Sequence, residues 1–467
     1  MGGLFSALNT ASTALDVFSR ALGTSQTNVA NASTAGYAAQ QATILPIDLS
    51  GNGGGTDFIS VTSNASSFAD ASVQASSSQA SFSQTQTQQL SPVNQLFDIT
   101  GSSGILAAFQ QFSTAFSRLA VTPNDPTLQA GALSAAGTVA SAFQSVVAGL
   151  DSQQTQVDSA VQSTTSQINS LASQIQQLNV QKAGQNPPDP GTSASLRSSL
   201  DQLSSLVDIT VTTGANGTVS VLAGGQLPLV LGDQAYTLAA HPSAAPGSQI
   251  SSSAGGNSPD SFTGTLGALL ETRNGTLGSL LGSGTNPGTL NTLASGFASR
   301  VNALLSSGAN STGAAGVPIF TFDTTNPANA ARTLTLNSAV TGDQLGLAST
   351  GASGTSNGIA NTLAALPSST AAADQIGGVS AETYFSNIAA SVGGQLSSAQ
   401  NASTADQTSL TSAQTSRQQQ IGVSLNQEAA TISEFERSYQ ANAQVVSIIN
   451  QLASDTVNLI SAGGATL

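Results

Sequence analysis

Apolar side chains recur at alternating steps of four and three at both ends of the chain. Leu4, Leu8, Ala11, Leu15, Phe18, Leu22, Ser25 and Val29 form one stripe. Ile421, Leu425, Glu428, Ile432, Phe435, Tyr439, Asn442, Val446, Ile449, Ala453, Thr456 and Ile460 form the other. This is a heptad period, and it predicts helices over residues 4–30 and from about residue 380 almost to the end. A stripe so narrow wants a partner helix rather than a broad globular core. Two such stripes can satisfy each other, and copies of the chain can satisfy both, so the pattern predicts a protein that polymerises through its ends. An ordinary bundle with a and d core positions is the competing reading of a lone stripe. Assembly is favoured here because the stripes stand at both extremes and the first carries almost no charge to fix a private partner.

The interior has a different texture. The first stripe stops at Asn31-Ala32-Ser33-Thr34-Ala35-Gly36-Tyr37, where Gly36 suits a left-handed turn. Residues 41–100 read as extended and loop-rich, with Gly51–Gly55 as a breaker and Phe58–Val61 as a short strand. Helical period returns with Ile105, Phe109, Phe112, Phe116 and Leu119, pauses at Pro123–Pro126, and resumes from Val139 to Leu178. That second run spans roughly 75 Å as a single helix, and the two runs form an antiparallel hairpin ended by Asn186–Gly191. A short helix is expected over 193–206. Period two then appears in Ile209, Val211, Val219 and Val221 around Gly214–Gly217, a hairpin pattern continued by Leu227–Leu231 and Tyr236–Leu238. Residues 241–262 read as a Gly/Ser/Pro linker, Leu266–Leu281 and Leu290–Leu305 as helices, and Phe320–Phe322 with Thr333–Leu336 as small strands.

The expected fold class is therefore mainly α with inserted small β regions: paired terminal helices as a coiled coil, a long helical hairpin domain and a small β-containing outer domain. The segments are 1–40 (terminal helix, inner layer), 41–100 (connector), 101–206 (hairpin domain), 207–316 (mixed), 317–379 (β-rich) and 380–467 (helical, pairing with the start). The termini then lie side by side, with the centre inserted between them.

Composition narrows the function. Charged residues are 7% of the 467, against about a quarter in ordinary globular proteins. The net charge of -14 argues against nucleic acid, whose affinity comes from Lys and Arg on phosphates, and against docking on anionic membranes. It also serves solubility. With no cysteine, disulfide and thiolate chemistry are excluded. No apolar run approaches ~20 residues, so no membrane insertion is expected. The start lacks the basic region and apolar core of a secretory signal, so export would use a route without a cleaved signal peptide.

Catalytic chemistry is not evident either. The single histidine, His241, sits in a loop-like His-Pro-Ser-Ala-Ala-Pro-Gly, and the single lysine, Lys182, follows no phosphate-cradling glycine loop. The acids show no metal-ligand spacing. No catalytic residue, metal site or cofactor is expected. Asn-x-Ser/Thr triplets at Asn31, Asn64, Asn274 and Asn401 are what chance supplies in so Asn-, Ser- and Thr-rich a chain.

Two segments carry a resemblance. Asn28-Val29-Ala30-Asn31-Ala32-Ser33-Thr34-Ala35-Gly36-Tyr37 resembles the N-terminal signature of bacterial flagellar rod, hook and hook-associated proteins. Gly422–Glu428 followed by Phe435-Glu436-Arg437-Ser438-Tyr439-Gln440-Ala441-Asn442-Ala443-Gln444-Val445 resembles their C-terminal signature. Between them, Asn124-Asp125-Pro126, Asp201-Gln202, Leu269–Arg273 and Gly313–Phe320 look like the hook-associated protein 1 (FlgK) family. Ala35 replaces the usual proline, Leu203 a common arginine, and Asn426 and Gln427 frequent acids. The resemblance implies a non-enzymatic, extracellular junction protein between hook and filament, exported through the flagellar type III apparatus. It implies self-association into a ring or short helical tube, contact with the hook protein and the next hook-associated protein, and an export chaperone. The residues expected to carry assembly are Leu4, Leu8, Leu15, Phe18, Leu22, Val29, Asn31, Gly36, Tyr37, Ile421, Leu425, Ile432, Phe435, Tyr439, Val446, Ile449 and Ile460. The alternatives are a hook or distal rod protein, and a secreted enzyme carrying flagellar ends.

Overall fold

The computed structural model describes residues 2–47, 55–99, 103–185, 189–214, 217–242, 247–255, 261–350 and 356–463. Along the chain come α1 (Gly2–Ala30), the hairpin of β1 (Gln40–Ile47) and β2 (Gly55–Ser63), then α2 (Ser67–Gln95), α3 (Gly104–Val121), α4 (Pro126–Ala183) and α5 (Pro190–Leu206). Strands β3 (Ile209–Thr213), β4 (Val219–Ala223), β5 (Leu227–Leu231) and β6 (Gln234–Ala235) make one antiparallel sheet, and β7 (Leu238–His241) pairs with β8 (Gln249–Ser252). Next are α6 (Gly264–Leu270), a π-helical stretch at Glu271–Leu277, α7 (Gly278–Leu281) and α8 (Gly288–Ser307). A two-residue pair of β9 (Phe320–Thr321) and β10 (Thr335–Leu336) encloses α9 (Ala330–Thr333), and α10 (Gly358–Ala365) precedes α11 (Ala381–Ile421) and α12 (Leu425–Gly463). The fold is thus mainly helical with small antiparallel sheets.

The α3–α4 hairpin forms as its sequence predicts. The Asp125 carboxylate accepts from Thr127 N at 2.7 Å and Leu128 N at 3.2 Å, with Pro126 at the first helical position. Asp189 and Pro190 repeat the device at the start of α5, where Asp189 Oδ2 accepts from Thr192 N at 2.7 Å. The core between α3, α4 and α8 is aromatic: ring centroids of Phe109 and Phe297 lie 4.7 Å apart, those of Phe112 and Phe116 4.4 Å, and those of Phe112 and Phe297 5.3 Å. Such pairs add about 0.5–1.5 kcal/mol each beyond the area they bury. One 18-residue window of α4 matches a membrane-spanning helix in hydropathy, at 1.4, yet 44% of it is buried inside the fold. Its apolar side chains, Val139, Phe143 and Val146 among them, are buried in the body's core.

Helix α4 also organises the sheets, through side chains. Asn179 donates to the Val219 and Gly232 carbonyls, both at 2.7 Å, and accepts from Val219 N at 2.9 Å. Asn169 does the same with both backbone groups of Leu238, at 2.9 and 2.8 Å. A carboxamide offers a donor and an acceptor in the spacing of a peptide group, so each asparagine stands in for a neighbouring strand.

Three readings of the sequence change. Residues 67–95, expected to be extended, are helix α2 of 29 residues, capped by Ser66. Its buried residues include Gln74, Ser78, Ser83 and Thr85 beside Ala69, Val73, Leu90 and Val93, so no apolar period marks it. Packing against α11 makes it a helix, with Phe97 6.0 Å from Phe385 just beyond one end. Secondly, residues 381–421 lie on α2 in the body, and within 380–467 only α12 pairs with α1. Thirdly, the 241–262 segment holds strand β8, and His241 ends β7 with its Nε2 2.8 Å from Ser251 Oγ. The proposed breakers at 51–54 and 186–188 and the turn residues 215–216 lie outside the described residues.

Candidate functional site

Helices α1 and α12 leave the body together as a two-helix stem flanked by the β1–β2 hairpin. On the α1 side, the seam and the face under the β1–β2 hairpin together bury mostly small residues. Ala11, Ala14, Val17, Ala21, Thr24, Ser25 and Asn28 are all buried, Ala21 completely. The facing line on α12 comprises Glu428, Ile432, Phe435, Asn442, Val446 and Ala453, half-buried, and Ile449, buried. Phe18 and Phe435 meet across it with centroids 6.3 Å apart.

The expected stripe on α1 shares positions 11, 18 and 25 with this seam and diverges between them. Leu4, Leu8, Leu15, Phe18 and Leu22 are half-buried along its edge, and Val29 is 39% exposed. On the other helix, Ile432, Phe435, Val446 and Ile449 face the seam, while Leu425 (54% exposed) and Tyr439 (42%) do not. Ile421 is buried at the end of α11, and the Ile460 side chain lies outside the described residues. A further line of α12, Val445, Ile448, Leu452 and Leu459, is exposed, at 44–74%. The stem therefore carries apolar flanks that this single chain leaves open.

At the base of the stem the two signature segments meet. Asn28 is 1% exposed; its Nδ2 donates to Glu428 Oε1 and to Gln40 O, both at 2.8 Å. Its Oδ1 accepts from Tyr37 OH at 2.8 Å and Gln40 N at 2.9 Å. All four hydrogen-bonding positions of the carboxamide are used. Burial first, and the Glu428 carboxylate second, push the Tyr37 phenol above its ordinary pKa. Gly36 is in the left-handed region at φ 75°, and Asn31, half-buried in the same turn, caps α1 through Thr27 O at 2.9 Å.

Behind that hub stands a cluster of four charges from three helices. Arg197 of α5 donates from Nε to Asp70 of α2 at 2.9 Å and from Nη1 to the Gly36 carbonyl. Arg417 of α11 grips Asp201 of α5 with both terminal nitrogens, at 3.0 and 2.8 Å, and reaches Asp70 at 3.4 Å. Burial works against the Arg417 charge, but the hydrogen bond and charge of Asp201, with those of Asp70, outweigh it and raise its pKa. Sequence reading did not single out Asn28, the seam alanines or this cluster. The available signal was scarcity: in a chain 7% charged, six of eight arginines form ion pairs, each with aspartate. Among the described residues no group of three or more His, Asp or Glu is placed to hold a metal.

Residues 62–320 match the family model described as the flagellar hook-associated protein FlgK helical domain. More than half the chain lies in that match, and it defines the class: a structural, flagellar hook-associated protein. The chain belongs to the FlgK family. Its fold is similar to that of the flagellar hook junction protein FlgK from Burkholderia pseudomallei, at TM-score 0.65 and 18% identity, over 76% of this chain and 100% of that one. No curated protein sequence matches it.

Proposed function

We propose that the protein joins hook to filament at the bacterial cell's exterior by polymerising through its terminal helices into a ring or short helical tube. The observation that carries this is the stem with its open apolar flanks. On α12, Val445, Ile448, Leu452 and Leu459 are exposed, and on α1, Leu4, Leu8, Leu15 and Leu22 are half-buried. Contiguous exposed apolar surface of this kind marks an interaction surface. Two different flanks on one stem make contacts head to tail, and such heterologous contacts build rings or helical tubes. The stem forms the inner layer, where it meets copies of itself, the hook protein on one side and the next hook-associated protein on the other. The helical body faces outward. Low charge and small side chains suit ends that travel unfolded through a type III apparatus, without a cleaved signal peptide and in the keeping of an export chaperone.

Deletion of residues 1–30 tests this. The expected result is a soluble, folded, monomeric centre and a strain whose filaments do not attach. Normal flagella on that strain would overturn the proposal. Isolated hook–basal bodies should carry the full chain at the hook tip, and finding it along the hook or rod shaft would assign it to those parts instead.

A further inference from the structure

We propose that α5 is the seat that fixes the inclination of the stem against the body, with Arg197 and Arg417 as its positioning residues. The chain joins stem and body twice: from α1 through the Gly36 turn and the β1–β2 hairpin that flanks the stem into α2, and from α11 through Ile421–Ser424, where α11 breaks, out to α12. Ala39 N donates to Ile421 O at 2.7 Å, so the two crossings are tied to each other. Both are then tied to the same helix. The Gly36 turn sits on α5 so closely that a Cβ at Gly36 would collide with the Ala194 carbonyl, and Arg197 holds its backbone oxygen. The last turn of α11 before the other crossing carries Arg417, clamped by Asp201 of α5.

Without that clamp the junction has the form of a hinge: two connections, with the break at Gly422–Ser424 in one of them. The clamp's groups are planar forks gripping carboxylates from more than one direction, which fixes angle as well as distance. Asp70 lies between the two arginines, 2.9 Å from one and 3.4 Å from the other, so the two crossings are held through a shared carboxylate. Side-chain exposures of 11–23% across the four residues keep the cluster from full screening by salt. The Asn28–Glu428 hub binds stem helix to stem helix; the ion pairs on α5 lock α2, α5 and the end of α11 together, and Arg197 carries that lock to the Gly36 turn at the end of the stem. These are separate duties, and only the second sets the angle.

The chain contains no cysteine, so spin labels can be placed cleanly at Ser19→Cys on α1 and Gln202→Cys on α5, both exposed. Electron-resonance distance distributions are then measured on the full-length monomer, a state in which failure of polymerisation has no effect on the readout. The parent should give one narrow distribution. Arg197→Gln and, separately, Gly36→Ala should at least double its width, with the helical circular dichroism of the body unchanged. Arg332→Gln, which removes the Asp151 pair elsewhere on the body, should leave it narrow. The proposal is overturned by a broad distribution in the parent, by unchanged width in both junction variants, or by equal broadening in R332Q. Should R197Q fail to fold, G36A decides.

Discussion

Asn28, Asn169, Asn179, Asn291 and Asn302 share one arrangement. Each sits on a helix, donates Nδ2 to a backbone carbonyl and accepts a backbone N–H at Oδ1 from a segment packed on that helix. A buried carboxamide is tolerated only when so satisfied, and removal leaves the backbone partners unpaired at about 1–3 kcal/mol each. Asn179→Leu, which strands both backbone groups of Val219, should therefore destabilise the body by about 3 kcal/mol or more in denaturant titration. Tyr37 answers to pH. Its phenol is raised above the ordinary value of 10.0, so the folded state holds that proton more tightly than the unfolded chain. The stabilisation is complete below the unfolded value and is lost as pH rises through the folded one. Unfolding midpoints should fall above about pH 10 in the parent. In Tyr37→Phe that alkaline loss should flatten, against a cost of about 1 kcal/mol at neutral pH from the missing bond to Asn28.

Among the elements, α1 separates two roles that a single heptad stripe would merge. Ala14 and Ala21 are buried beneath the packing of α12 and the β1–β2 hairpin, while Leu15 and Leu22 stay half-buried. Ala21→Leu overfills a closed seam and should cost the stem about 1–3 kcal/mol, seen as faster hydrogen exchange in α1 with α4 unaffected. Leu15→Glu should change that exchange little and yet abolish polymerisation, because the charge would be buried unpaired only once a neighbouring copy arrives. Helix α2 shows the opposite case. With Ser, Thr, Gln and Ala filling most of its length, nothing local commits it to a helix. Its identity comes from α11, through apolar contacts at one end and the Asp70–Arg417 pair at the other.

For the whole molecule, the contiguous hydrophobic core among the described residues runs from Val93 to Val392 and includes none from α1 or α12. The stem is thus an appendage energetically, joined by hydrogen bonds at the junction. A fragment of residues 64–421 should fold alone, with a melting temperature within about 5 °C of the body transition in the full chain, since a change of 1 kcal/mol moves Tm by about 2–4 °C in a chain of roughly 200 residues and by less in a longer one. Calorimetry of the two would show it, and a collapse of the fragment would place the stem inside the cooperative unit. High net negative charge with few cations, -14 overall, leaves little long-range attraction between copies. Apolar flanks and register are then what bring the stems together.

Period and punctuation made much of this molecule legible from its residues. The terminal helices, the long α3–α4 hairpin with its Asp125-Pro126 start, the β3–β4 hairpin and the left-handed Gly36 all follow from local rules acting over a few residues. What lay beyond such rules was whatever depends on residues far apart in the chain. The heptad period could not say that burial on α1 would extend to Ala14, Val17 and Ala21, because the β1–β2 hairpin packs on that helix as well as α12. Nor could it reveal α2, whose helicity is conferred by α11 more than 300 residues later. The charge cluster on α5 is of the same kind. Asp70, Arg197, Asp201 and Arg417 are unremarkable singly, and only the packing of three helices on one turn makes them a junction.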